Sequence, residues 1–199
     1  DDGVSLERDG LGRWVLGVHI ADVSHYVRPG SALDLEAWER GTSVYFADQV
    51  VPMLPRELSN GICSLNPRVD RLALSCVMTL TPEGEVVDHT IAKSVIRTTE
   101  RMTYEDCNAL LAHSDPALAE RYARILPMLE DMAALSRVLE GRRRRRGALE
   151  LDTRESYVVC DESGTPVDVV LRTPGISEGL IESFMLAANE CVAEHLNRL

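Results

Sequence analysis

The stretch Trp14-Val15-Leu16-Gly17-Val18-His19-Ile20 constrains this chain more than any other. It is apolar at nearly every position, not at every second one. A strand with one wet face alternates, so a strand without alternation belongs in the middle of a sheet and is covered on both faces. The chain must therefore supply strands on either side of residues 14–20 and further layers above and below. Residues 4–7 read as a strand ahead of it, with Gly10 in the turn. Residues 71–80 and 85–97 read as a hairpin about Thr81-Pro82-Glu83-Gly84, and 157–160 with 167–171 as another about Ser163-Gly164.

The covering layer has a helical period. Ser31 is placed to cap a short helix with Leu33, Ala37 and Trp38 on its buried side and Gly41 at its end. Thr103 is placed to cap a helix over 104–111. Apolar residues at 118, 122, 125, 129, 132, 135 and 139 predict one helix from Pro116 to about Glu140, stopped by Gly141. Residues 176–199 read as a helix with Leu180, Ile181, Phe184, Met185, Ala188, Val192 and Leu196 inward. The expected fold class is α+β: a mixed, mainly antiparallel sheet core packed by about three substantial helices. Residues 42–69 are rich in Pro, Asn and Gly yet carry large apolar groups, as segments do that line or pack on something.

Composition narrows the function classes. With 199 residues and 45% apolar content, the chain is one domain or most of one. No apolar run reaches the roughly 18–20 residues of a membrane span. The five cysteines form no CxxC pair, which argues against a zinc ribbon or a disulfide framework and for reduced, mostly buried thiols in a cytoplasmic protein. The formal net charge of −11 argues against a protein that holds nucleic acid by surface charge alone, since such proteins are usually basic. It does not exclude one that uses a local positive channel or divalent cations. The chain starts at Asp1 with no Met and stops inside a helical pattern at Leu199, and we read it as part of a longer polypeptide.

A few residues have chemistry to offer. Asp1 and Asp2 precede a strand. Adjacent carboxylates on extended backbone point to opposite faces and share an ion only if the backbone bends; otherwise they are a solvated acidic terminus. Asp22, at the end of the apolar strand, is either a third carboxylate for that place or a turn former. Tyr45, Phe46 and Tyr104 are placed either to stack on bases or to pack. The run Arg142–Arg146 suits phosphate, or equally the negative end of a helix. Glu182 leans toward the inward side of the last helix, where a carboxylate needs a hydroxyl or an ion as partner; otherwise it is an N-cap partner. The five histidines have no metal-ligand spacing, and there is no Gly-rich phosphate loop, GxSxG or HExxH.

Several strings extend this reading when taken together: DDGV at the start, VHIADVSHYV (18–27), RGTSVYFADQVVPMLPRELSNGICSLNPRVDRLALSCVMTL (40–80), RMTY (101–104), RRGAL (145–149) and LIESFMLAAN (180–189). In this order they resemble the RNB catalytic domain of the ribonuclease II / ribonuclease R exonuclease family, over the whole chain. RGTSVYF and RRGAL lean to the R-like bacterial branch.

The resemblance implies a Mg²⁺-dependent hydrolytic exoribonuclease, with Mn²⁺ as a possible substitute. It would act on single-stranded RNA from the 3′ end, release nucleoside 5′-monophosphates, and use two ions about 3.5–4 Å apart. It implies that residues 1–199 are an RNB domain truncated at both ends, in a longer chain with cold-shock and S1 domains. Asp1 and Asp2 match the last two members of the family's D-x-x-x-x-x-D-x-D-D cluster and are the implied catalytic and metal-binding carboxylates. Tyr45 matches the tyrosine that stacks on the 3′-terminal base. Tyr104 and Glu182 match residues that contact the ribose and favour RNA over DNA.

The chain departs from the family pattern at Gly3, usually Ala; at Leu151, commonly a base-clamping Phe; and at Ser183, usually a second Glu. The family's catalytic arginine would lie beyond residue 199. The isolated chain is expected to be inactive. The alternative is an RNB-like domain that binds RNA without cleaving it.

Overall fold

The computed structural model describes residues 2–149 and 155–198. Its centre is a four-stranded antiparallel sheet in the order β1-β2-β5-β6, made of β1 (Asp2–Arg8), β2 (Trp14–Ala21), β5 (Asp70–Leu80) and β6 (Val86–Arg97). β1 and β2 form a hairpin whose turn is held by Asp9, which accepts from the backbone N–H groups of Leu11 and Arg13, both at 2.9 Å. Between β2 and β5 lie α1 (Val23–Tyr26), α2 (Ala32–Arg40), the two-residue strands β3 (Val44–Tyr45) and β4 (Val50–Val51), and a π-helical turn over Glu57–Ile62. After β6 come α3 (Tyr104–Leu111), α4 (Pro116–Arg121) and α5 (Leu126–Arg145). The hairpin β7 (Glu155–Cys160) and β8 (Pro166–Arg172) and the helix α6 (Ile176–Asn197) complete the chain. The α+β expectation holds.

The core forms on one face of the sheet. Trp14, Leu16 and Val18 of β2 stand in register with Leu80, Met78 and Cys76 of β5. They pack under Leu110, Leu135 and Phe184, side chains that are all but completely buried. Burying a side chain of this size contributes roughly 1.5–3 kcal/mol, so this layer ties α3, α5 and α6 to the sheet. β2 has a neighbour on each side, as its sequence requires. Its second face is only half covered, because Val15 and His19 remain partly accessible.

The sheet is rolled. β1 and β6 are its two edges, yet a methyl built on Gly3 would lie 3.7 Å from Ile96 Cδ1 and 3.4 Å from Leu65 Cδ1. Those are ordinary contact distances, so the Ala usual at this place in the family fits here.

Four helical expectations need correction. The helix expected from Pro116 to about Glu140 is two helices, with a turn at 122–125. Pro127, in the first turn of α5, lacks the N–H an unbroken helix would need, and its ring would strike the preceding turn. The predicted stripe survives the break, since Tyr122, Leu129, Met132, Leu135 and Leu139 are all buried. Nor does Gly141 stop the helix, which runs to Arg145; the left-handed residue is Gly147, at φ 93°.

Ser31 does cap α2, its hydroxyl accepting from Asp34 N–H at 3.3 Å. Trp38, expected inward, is 79% exposed. Helical spacing shows which residues share a face, not whether anything covers that face. Leu196 is exposed for the same reason at the end of α6.

Candidate functional site

The edge of β1 borders a cavity of about 460 Å³. The rest of its wall comes from residues 96–104, which lead into α3, and from α5 and α6. Asp2 and Ser5 of β1, His19 of β2 and Tyr104 of α3 give it polar groups, while Met128 and Ile181 are among its apolar ones. The sequence places these residues by three local rules. β1 is an edge strand and so offers its side chains and open edge together. Thr103 caps α3, accepting from Asp106 N–H at 3.1 Å, and thereby puts Tyr104 at the first helical position. The apolar stripes of α5 and α6 close the remaining side.

A directed chain of hydrogen bonds crosses the face of the sheet that carries His19. Ser94 Oγ donates to the carbonyl of Ala73 at 3.3 Å, and a carbonyl can only accept. Ser75 Oγ must then donate to Ser94 Oγ (2.6 Å), and His19 Nδ1–H to Ser75 Oγ (2.7 Å). Ser5 Oγ donates to His19 Nε2 at 3.1 Å. One tautomer of a neutral imidazole satisfies all four bonds. Burial lowers the His19 pKa, which favours that neutral form. Gly17 leaves the room this chain needs, because a methyl there would lie 2.5 Å from Ser5 Oγ and 2.7 Å from His19 Nε2. The sequence carried no spacing signal for His19; what marks it is its place opposite Gly3 in the register.

The structure brings some of the expected residues together and separates others. Asp2 and Tyr104 line the same cavity. Asp1 and Leu151 lie outside the described residues. Glu182 does not face inward: its side chain is 66% exposed and meets Arg143 Nη1 at 3.4 Å. It follows Ile181, which does line the cavity. The departure at Ser183 is buried beside the same arginine, with Arg143 Nη2 3.4 Å from Ser183 Oγ. Tyr45 stands apart, 77% exposed in the short β3–β4 hairpin.

Asp22 is spent on other bonds. Its carboxylate accepts from Ser24 Oγ at 2.6 Å and pairs with Lys93 Nζ at 3.1 Å. These hold its pKa below the usual carboxylate range, Ser24 most of all. The arginine run also has internal partners: Arg144 reaches Glu140 at 2.7 Å and Arg146 reaches Glu190 at 2.8 Å, at the end of α5 where cations suit the helix dipole.

Among the described residues, no three His, Cys, Asp or Glu side chains gather into a cation site. Mg²⁺ is commonly held by one or two carboxylates together with water and substrate phosphate. Asp2, an exposed carboxylate at the start of an edge strand, fits as one such ligand. Glu100 lines the same cavity but pairs with Arg68 at 3.4 Å.

The family model for the RNB domain matches residues 1–199. Ribonuclease R 1 of Lactococcus lactis subsp. lactis is 55% identical over 98% of this chain and 24% of its own length. Ribonuclease R of Thermotoga maritima is 49% identical over 98% of this chain and 27% of its own length. A solved structure of Mycoplasma genitalium RNase R in complex with double-stranded RNA matches with a TM-score of 0.91 at 31% identity, over 99% of this chain and 34% of that one. The chain thus spans about a quarter of the length of these curated relatives.

Proposed function

The chain belongs to the RNB domain family, and from that premise we propose that the protein carrying it is a Mg²⁺-dependent hydrolytic exoribonuclease. It shortens single-stranded RNA from the 3′ end in the cytoplasm and releases nucleoside 5′-monophosphates. One observation carries this reading: Asp2 and Tyr104, distant in sequence, line one cavity of about 460 Å³. That is room for a terminal nucleotide between a carboxylate and an aromatic ring. The R-like relatives and the RNA bound to the M. genitalium protein support RNA as the substrate.

In this reading Asp2, with Asp1, holds the metal at the scissile phosphate. Bound there, Mg²⁺ or Mn²⁺ supplies an activated water and stabilises the leaving 3′ oxygen. Tyr104 takes the ribose end from the cavity wall and Glu182 from the exposed side of α6 beside Arg143; the 2′-hydroxyl there is the group that distinguishes RNA from DNA. Tyr45 stacks on a base from outside the cavity. RNA capture falls to other parts of the longer protein, for which cold-shock and S1 domains are proposed; OB-type barrels of that sort bind oligonucleotides.

The test uses the full-length protein with 5′-labelled single-stranded RNA, in Mg²⁺ and in chelator. A ladder that shortens from the 3′ end only with the metal is the expected result. RNA retained by the protein but left intact would overturn cleavage and assign the domain to RNA binding.

A further inference from the structure

The first turn of α6 lacks an N-cap side chain of its own. Its N-cap residue is Gly175, which has no side chain to offer the free N–H groups of a helix start. Asn108, on α3, fills that role from outside. Its Oδ1 accepts from Ser177 N–H at 2.9 Å, the bond an N-cap side chain would make to the second helical residue. Its Nδ2 donates to Glu178 Oε2 at 3.1 Å, and the same oxygen accepts from Gly175 N–H at 2.9 Å. Ser177 Oγ lies 2.9 Å from Asn108 Oδ1 and 3.2 Å from the carbonyl of Tyr104.

Only one orientation of the Asn108 amide gives every one of these bonds a donor and an acceptor. Burial pushes the Glu178 carboxyl up, but the bonds from Asn108, Gly175 and Ser177 outweigh it, and its pKa lies below the ordinary value. Gly175 is required by space, since a methyl there would overlap the Asn108 side chain. Its φ of −95° is open to any residue.

This knot sits between the two residues assigned to the ribose. Tyr104 opens α3 and gives its carbonyl to the knot. Glu182 lies one turn along α6 from Glu178. We propose that Asn108 is a positioning residue: by capping α6 from α3 it sets the separation of Tyr104 and Glu182, and with it the preference for a ribose 3′ end. The inference rests on the ribose site proposed above and deepens it.

Two variants separate positioning from simple stability in the full-length protein. Asn108→Ala removes both the cap and the tie between helices. Asn108→Ala combined with Gly175→Ser gives α6 a cap of its own in the space Asn108 vacates, and leaves the tie broken. The readout is the ratio of kcat/KM for an RNA to that for the same RNA with one 2′-deoxynucleotide at its 3′ end, measured beside the melting temperature.

Asn108→Ala should lower the ratio about fivefold or more, the scale of one lost hydrogen bond. The double variant should regain melting temperature but not the ratio. A ratio that recovers along with stability, or never moves, overturns the positioning role, provided Tyr104→Ala and Glu182→Ala do lower it. If those two leave it unchanged, the ribose site itself is wrong and this inference falls with it. Ser177→Ala, which deletes only the hydroxyl's bonds, decides by the same ratio if neither Asn108 variant melts cooperatively.

Discussion

The two tyrosines assigned to RNA stand in very different surroundings. Tyr104 opens a capped helix, 43% exposed, on the wall of a cavity whose other sides are strands and packed helices. Tyr45 stands on a hairpin of two-residue strands in which Val44, Phe46, Val50 and Val51 are exposed as well. Two local hydrogen bonds tie that arm down: Ser43 Oγ accepts from Met53 N–H at 3.0 Å, and Arg40 reaches the carbonyl of Pro52 at 3.3 Å. The cavity is fixed by groups far apart in the chain; the hydrogen bonds of the arm join groups near each other, and its distant neighbour is Gly164, close to Asp48. A change on the cavity side should therefore spread into stability and chemistry together, whereas a change on the arm should stay with the ligand it meets.

The largest effect tests that difference in the core that carries the cavity. Phe184→Ala should cost about 3–5 kcal/mol in a denaturation experiment, because Phe184 is wholly buried beneath the sheet. A cost below about 1 kcal/mol would mean that α6 is not anchored as described. Next comes Asp2→Asn. It should lower cleavage about a hundredfold or more, beyond what the loss of an outer-shell metal partner causes, while RNA binding persists in a gel-shift measurement. Near-normal turnover would remove Asp2 from the metal.

Tyr45→Ala should be the counterpart on the arm. It should weaken hold on the terminal base by about 1–3 kcal/mol and change the length of the final undegraded oligonucleotide, with no shift in melting temperature. If instead the protein loses stability, the arm is packed and the contrast between the regions fails.

The contrast also explains what could be read from the sequence. The strands around Trp14–Ile20, the 70–97 hairpin and the cap at Thr103 follow from alternation, turn chemistry and a Thr three residues before Asp106, all local signals. The break at Pro127 was legible too, but the apolar stripe runs across it and masks it. Trp38 misleads because periodicity holds whether or not a partner lies opposite.

At the site, the pairing of Asp2 with Tyr104 came from family resemblance; no spacing in the chain announces it. The Asn108 cap lies 69 residues from Ser177. Its only local trace is a helix start at Gly175 with no capping side chain. His19 left no trace at all, since its bonds to Ser5 and Ser75 exist only once three strands are in register.

His19 gives a smaller and more selective test of the cavity side. Burial lowers its pKa in the folded protein, so below the ordinary histidine value of about 6.5 the unfolded chain binds the proton more readily. Stability is then full above that pH and declines as the pH falls through it. His19→Asn should flatten this part of a melting-temperature profile taken from pH 8 to pH 5. The decline at lower pH should remain, because Asp22 and Glu178, whose pKa values are lowered, lose their contribution only as the pH falls through the carboxylate range. An unchanged profile in His19→Asn would mean that its proton does not distinguish the folded from the unfolded state.

The smallest expected effect is the sharpest statement about the arm side. Trp38 is the more exposed of the two tryptophans, the other being Trp14, buried at the start of β2 with the Arg8 guanidinium 3.4 Å above its ring. Trp38→Ala should change stability by no more than about 0.5 kcal/mol. In a Trp14→Phe background, emission from Trp38 should lie at the wavelength of water-exposed indole, whether or not RNA is present. A cost of 2 kcal/mol or more, or a blue-shifted Trp38, would show that α2 is covered in the full-length protein. In that event the arm would belong to the same cooperative unit as the cavity, and Tyr45 would be positioned by distant contacts just as Tyr104 is.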